Sequence, residues 1–360
     1  MRILLIRLRE IGDVVFTTPA LRAIRDRFPD AHISYLVEPH AAPVVARNPH
    51  VDDVIVTMRR RGFASDLALA RRLRAARYDL VVDFHGGPRA SILAWLSGAP
   101  TRVGYNVAGR GWMYTIRVPR PRQIRPRHAV ENQWDLLIPL GIGAPDPTRF
   151  PVEMAVDESA RAIVAERLAL AGVEVRHQLI VIHVSAGNPF RRWPLAAFST
   201  LMTMLALRDP DRRIVVTAGP ADGGAAERAI EQARALLDPA ESARIVVCGD
   251  FSLDELRALM DRAVLYIGGD SGPLHIAATS GVPIVGLYGP TLPVRSSPWR
   301  DSEWISEAVG VEGLACRPCD QRTCEPGDFR CLTWLRPEHV IEAAERVLAR
   351  TGRANRRVRL

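Results

Sequence analysis

Lysine is missing from this chain of 360 residues: all 48 basic side chains are arginine, against 40 acidic ones, for a formal charge of +8. The charge favours anionic partners. The choice of arginine narrows them, because a planar guanidinium matches phosphate or carboxylate with two parallel hydrogen bonds where an ammonium offers a point charge. A phosphorylated substrate, an anionic membrane face and nucleic acid all suit such a surface, as does plain solvation. Basic runs interleaved with aromatics are also missing, which counts against nucleic acid. No apolar run approaches the roughly 20 residues that span a bilayer. The opening MRILLIRLRE sets only four apolar residues between arginines, too few for the core of a signal peptide and suited to a first buried strand. A cytoplasmic protein is expected. Cysteine is scarce as well, with five in all and four of them in one stretch, and a reducing cytoplasm argues against a disulfide framework.

What is present is ordinary for a soluble globular enzyme, with 48% hydrophobic and 24% charged residues. The length predicts two domains. Strand-like runs at 3–6, 32–37, 51–56 and 78–84 alternate with helical stretches at 14–28 and 65–76, and alternation of this kind means a parallel sheet. A second series follows at 179–187, 214–220, 244–250, 264–270 and 282–290. Residues 117–151, rich in proline and arginine, separate the two, and 157–171 reads as an amphipathic helix opening the second series. The expected architecture is α/β, with a domain over 1–155, another over 156–335, and a C-terminal helix and basic tail over 336–360. In two doubly wound sheets, ligands bind outside the carboxyl ends of the strands.

Four motifs carry chemistry. In YIGGDSGPLHIAATSGVPIVGLYGPT (266–291), a glycine-flanked acidic turn leads from a strand into a helix that begins near Pro273. Free amides and the dipole of that helix favour an anion, so Asp270, Ser271, Gly272 and His275 form a candidate diphosphate site, with an ordinary capped turn as the alternative. In REIGDVVFTTPAL (9–21), Asp13 opens a helix after the first strand and suits either an N-cap or a general base. In HVSAGNPFRRWPLAAF (183–198), small residues around Ser185 let the chain approach a ligand, Arg191 and Arg192 can clamp phosphate oxygens, and Trp193 suits packing on the sheet. In TAGPADGGAAER (217–228), Asp222 suits a sugar hydroxyl or a helix cap. Ser252 and Glu255 form a capping-box pattern and are expected to be structural.

Cys316, Cys319, Cys324 and Cys331 follow the pattern C-x2-C-x4-C-x6-C. Four thiolates at this spacing can hold a structural zinc or iron, and free thiols in a surface loop are the alternative. Cys248, alone in a strand, suits a core position.

Taken in order, IGDVVFTTPALRAIRDRFPDAHISYLV, PFRRWP, GGDSGPLHIAATSGVPIVGLYGPT and the C-x2-C region resemble the ADP-heptose:lipopolysaccharide heptosyltransferases, glycosyltransferase family 9. The resemblance implies a GT-B fold of two Rossmann-like domains with an interdomain cleft, acceptor bound by the first and ADP-heptose by the second. It implies inverting transfer to an acceptor hydroxyl of the lipopolysaccharide inner core, without a cofactor for catalysis. Asp13 matches the family's catalytic base, Asp270, Ser271, Gly272 and His275 its donor-diphosphate motif, and Arg191 a position where the family usually has lysine. Asp222 falls near a family acid beside the nucleoside. Arg59, Arg60 and Arg61 suit the anionic groups of a lipopolysaccharide-type acceptor, and surface arginines suit peripheral contact with the inner membrane. No obligate protein partner is evident. A family 9 enzyme acting on another glycan or a protein, a sugar-nucleotide epimerase of the same architecture and an arginine-rich nucleic-acid binder are the rival readings.

Overall fold

The computed structural model of the chain describes all residues except 59–62, 121–126, 221, 223 and 358–360, and omits the side chains of 63–64 and 352–357. Arg59, Arg60 and Arg61 therefore lie outside the described residues. Two compact units divide the chain: Met1–Ala155 with Trp299–Asp301, and Val156–Pro298 with Ser302–Leu360.

Each unit is built on a six-stranded parallel sheet. In the first, β1 (Arg2–Ile6), β2 (His32–Val37), β3 (Asp53–Val56), β4 (Leu80–Asp83), β5 (Thr101–Asn106) and β6 (Ile116–Pro119) lie in the order β3-β2-β1-β4-β5-β6. In the second, β7 (Gln178–His183), β8 (Arg212–Thr217), β9 (Ile245–Val246), β10 (Leu265–Gly269), β11 (Ile284–Leu287) and β12 (Ser306–Val309) lie in the order β12-β11-β10-β7-β8-β9. Renumbered from its own first strand, the second sheet has the same order as the first. The order reverses between first and fourth strands in both, and right-handed crossovers then place helices on both faces.

The central strands read as near-continuous apolar runs because neither face meets water. Ile3, Leu4, Leu5 and Ile6 of β1 have no exposed surface, and neither do Ile180, Val181 and Ile182 of β7. Each such side chain contributes about 1.5–3 kcal/mol by burial. The edge strands lack this signature. Only Val118 of β6 is buried, and no residue of β12 is, which is why their sequences, IRVP and SEAV, do not announce them. The helix Ala129–Trp134 and all but the first residue of β6 lie inside the proline- and arginine-rich stretch 117–151 that separates the two series. The helix expected over 14–28 is broken into Ile11–Val15 and Thr18–Arg27. At the break, the hydroxyls of Thr17 and Thr18 donate back to the carbonyls of Val14 (2.6 Å) and Val15 (2.8 Å), and Pro19 has no amide to continue the ladder. Ser252 and Glu255 form the capping box that their spacing predicts. Trp193 is core, its indole donating to the carbonyl of Leu335 (2.9 Å), and Val340, Ile341, Ala344 and Val347 of helix Pro337–Arg357 pack in the same cluster.

One glycine in the first sheet answers to a close approach. The ring of Tyr114 lies where a side chain at Gly104 would begin, and the Tyr114 hydroxyl donates to the buried carboxylate of Asp83 (2.5 Å). Gly104→Ala should therefore displace Tyr114 and cost about 1–3 kcal/mol in denaturant unfolding. Gly143→Ala, with open space around it, should stay within about 0.5 kcal/mol of the parent. Equal stability of the two variants would show that Tyr114 is not held as described.

Candidate active site

In the first unit the order reverses between β1 and β4, and polar groups gather at the ends of those two strands. Asp13 stands in the helix Ile11–Val15, whose cap position belongs to Glu10, so Asp13 does not cap it. Its carboxylate pairs with Arg7 Nη2, while Arg7 Nη1 donates to the carbonyl of Phe84 (2.7 Å). One guanidinium thus ties the loop after β1 to the loop after β4. The turn beyond β4 is held by Asp83, which accepts from the amides of His85 and Gly86 (2.9 Å each) as well as from Tyr114. Burial raises the pKa of Asp83 despite these hydrogen bonds. Burial, reinforced by the charges of Arg7 and Arg9, pushes His85 down to about 4, so it is neutral at pH 7. Arg120 adds a further positive charge near it, and its own guanidinium lies over the ring of Tyr105. Asp13, with 39% of its side chain exposed, is thus a reachable carboxylate in a positive setting.

In the second unit the reversal falls between β7 and β10. Asp270, 1% exposed, ends that turn, and its Oδ2 accepts from the Thr291 hydroxyl (2.5 Å) and lies 3.2 Å from Arg191 Nη1. Its Oδ1 lies 3.5 Å from His275 Nε2. Burial works to raise the Asp270 pKa, but the hydrogen bond and charge of His275, the charge of Arg191 and the Thr291 hydroxyl overcome it and hold the group at about 2. Ser271 occupies the cap position of the six-residue helix Gly272–Ala277 without capping it, its hydroxyl donating instead to the carbonyl of Gly269 (3.2 Å). His275 is buried in that helix. Asp270 and His275 are therefore interior groups, and the half-buried Arg191, Ser271 and Gly272 are the ones a ligand can reach.

Beside them, Ser185 Oγ accepts from the Gly219 amide (2.6 Å) and lies 3.1 Å from His183 Nε2. His183 Nδ1 is 2.9 Å from the Thr217 hydroxyl, and burial pushes this imidazole down to about 4. Arg192 donates to the Ala186 carbonyl (2.8 Å) and pairs with Asp222 at 2.5 Å. Gly224, not Asp222, takes the cap position of the following helix. Ser185, Arg192, Asp222 and Arg228 line a cavity of about 320 Å³.

The four clustered cysteines line another cavity in this unit, of about 440 Å³. Among the described residues no three of His, Cys, Asp or Glu come together as metal ligands, so the expected zinc or iron site is not assembled.

Residues 67–328, more than half of the chain, match the model of glycosyltransferase family 9 (heptosyltransferase). The chain belongs to this family. It is a transferase of two Rossmann-like units, the GT-B fold. Lipopolysaccharide heptosyltransferase 3 of Escherichia coli K12 is 29% identical over 351 residues, covering 95% of this chain and 96% of that protein. The glycosyl transferase family 9 structure from Veillonella parvula superposes with a TM-score of 0.83 at 27% identity, covering 97% of both chains. E. coli heptosyltransferase WaaC, solved with ADP-2-deoxy-2-fluoro heptose, shares the fold at 21% identity, with a TM-score of 0.68 over 96% of this chain and 99% of that one.

Arg7 and His85 stand beside Asp13 in this candidate site, and the motifs of the sequence include neither. His85 had a signal, since it follows a strand and precedes Gly86-Gly87. Arg7 had none, as one arginine among many at the end of an apolar run.

The half-buried His85 and the buried His183 set an acid limit on stability. Each binds a proton more weakly folded (about 4) than its ordinary value of 6.5, so stability is fully present above about pH 6.5 and falls as the pH drops toward 4. For the fully buried His183 the loss approaches about 3 kcal/mol. Unfolding midpoints measured from pH 7 to 4 should fall steeply in the parent and less steeply in His183→Gln. Parallel profiles would show that His183 is not the titrating group.

Proposed function

We propose that this protein transfers a heptose from ADP-L-glycero-β-D-manno-heptose to a hydroxyl of the lipopolysaccharide inner core, with inversion at the anomeric carbon. Membership of family 9 and the 29% identity to a lipopolysaccharide heptosyltransferase over nearly the whole chain support the reaction class. The observation that carries the mechanism is Asp13, a partly exposed carboxylate in the helix that follows β1, held in place by Arg7. In this reading Asp13 takes the proton of the acceptor hydroxyl as it attacks, and Arg7, Arg9 and Arg120 favour the acceptor's anionic groups, with Arg59, Arg60 and Arg61 as further candidates. ADP departs with its charge spread over phosphate oxygens, so no acid is required. Arg191 and the backbone around Ser271 and Gly272 offset that charge, while Asp270 and His275 act from behind by holding Arg191. The cavity at Ser185, Arg192 and Asp222 takes the nucleoside, with Asp222 accepting from a ribose hydroxyl. No helix among the described residues is long and apolar enough to cross a membrane. Exposed arginines then supply peripheral contact with the anionic face of the inner membrane, on its cytoplasmic side.

Mixing the purified protein with ADP-heptose and a Kdo-lipid A acceptor tests this through ADP release. Asp13→Asn should lower kcat by about 100- to 10,000-fold and leave the Kd for ADP within about twofold, since a base on the acceptor side contributes to the chemical step and not to nucleotide binding. Release that survives the substitution would place the base elsewhere. No release with any of several lipopolysaccharide acceptors would overturn the assignment, and donor turnover without acceptor would favour an epimerase.

A further inference from the structure

Among the described residues the cysteine-rich loop assembles no metal-ligand group, yet it is built against Arg191. Among the described residues only Arg77, Gln321 and Phe329 combine a side chain with positive φ, and two of the three lie in this loop. Each of those two carries a contact to the segment 188–191. Gln321 (φ 59°) accepts through one oxygen, Oε1, from both Asn188 Nδ2 (2.9 Å) and Arg191 Nε (2.7 Å). Phe329 (φ 52°) packs its ring 5.2 Å from that of Phe190. Left-handed backbone at a residue larger than glycine is costly and persists where surrounding contacts demand it. The loop also reaches Asp270 by a second route, because Arg317 Nη2 donates to the Thr291 carbonyl (2.8 Å) and the Thr291 hydroxyl donates to Asp270.

The Arg191 guanidinium is thereby fixed on two edges. Nε is taken by Gln321, and Nη1 by the carbonyl of Asp270 (3.1 Å) and its carboxylate, leaving Nη2 with no hydrogen bond among the described residues. From this geometry we infer that Gln321 is a positioning residue for donor binding: it fixes Arg191 so that Nη2 presents its N–H groups to a nucleoside diphosphate. The inference rests on the reading of this unit as the donor site. A four-carbon side chain with rotatable bonds loses entropy when it clamps a ligand, and bracing it beforehand removes that cost from binding.

Calorimetry with ADP as the probe tests the inference without knowledge of the acceptor. Gln321→Leu and Gln321→Ala, which remove the accepting oxygen, should each weaken ADP about tenfold, whereas Gln321→Glu, which keeps an acceptor for Arg191 and Asn188, should stay within about threefold of the parent. Combining Gln321→Leu with Arg191→Ala should give no further loss beyond Arg191→Ala alone, because the glutamine acts only through the arginine. Parent protein that binds ADP while both Gln321→Leu and Gln321→Ala bind it equally well would overturn the inference alone, as would additive losses in the double variant. Parent protein that does not bind ADP would overturn the donor-site reading and this inference with it.

Discussion

In each unit an arginine from the loop after the first strand crosses the gap where strand order reverses and binds the loop after the fourth. Arg7 Nη1 donates to the carbonyl of Phe84 in one, and Arg191 Nη1 to the carbonyl of Asp270 in the other. A doubly wound sheet needs such a tie. At the reversal the two neighbouring loops turn to opposite faces, and the sheet's own hydrogen bonding does not hold those loops in register. The crevice that admits a ligand is the same crevice that leaves backbone carbonyls in want of donors.

Each tie leans on a carboxylate buried at the end of the fourth strand, and the two carboxylates differ in electrostatic setting. Asp83 receives a phenol and two amides, and these together with the charge of Arg7 leave burial the winner, so its pKa rises. Asp270 faces His275 and Arg191, and its pKa falls to about 2 against the same burial. The difference suits the division of labour proposed for the units. Where a diphosphate is to bind, an arginine must be steered without being neutralised by an exposed partner, and a fixed interior anion does this from behind. Where a hydroxyl is to be deprotonated, the turn at β4 is held by a group whose charge matters less than its hydrogen bonds, and the reachable carboxylate is Asp13 instead.

Much of this was legible in the residues. Apolar runs such as LLI in β1 and LYI in β10 mark interior strands because burial on both faces removes any need for alternation, and the glycine-rich turns after them locate the ligand ends of the sheets. What the pattern hid lies at edges and across distances. β6 and β12 bury too little to show a period, and the threonine pair that breaks the helix after β1 acts through hydroxyls that no periodicity records. Asp270 and His275 were visible as a motif, but their burial was not, and within that turn Asp270 pairs with an arginine 79 residues away while Ser271 and Gly272 stay reachable. Gln321 sits 130 residues from Arg191, and only the folded chain brings its side chain to the guanidinium.

The absence of lysine takes on a structural meaning at these ties. An ammonium concentrates its three donors at one point on a flexible stem, so a lysine engaged by two protein partners has little left to direct at a ligand. A guanidinium spreads five N–H groups over a plane with separate edges. Arg7 uses one of its terminal nitrogens on a carbonyl and the other on Asp13, joining two loops and fixing a carboxylate at once. Arg191 spends Nε on Gln321 and Nη1 on Asp270, and Nη2 is the edge that the proposed diphosphate would meet. The resemblance to family 9 implies a lysine at this position, and a lysine there would offer only a point charge on a flexible stem. Here arginine turns it into a braced surface, and the brace requires partners on both sides: a buried anion after β10 and an amide oxygen from the cysteine-rich loop. The charge excess that first suggested an anionic ligand is thus, at its two most informative positions, a matter of shape as much as of sign.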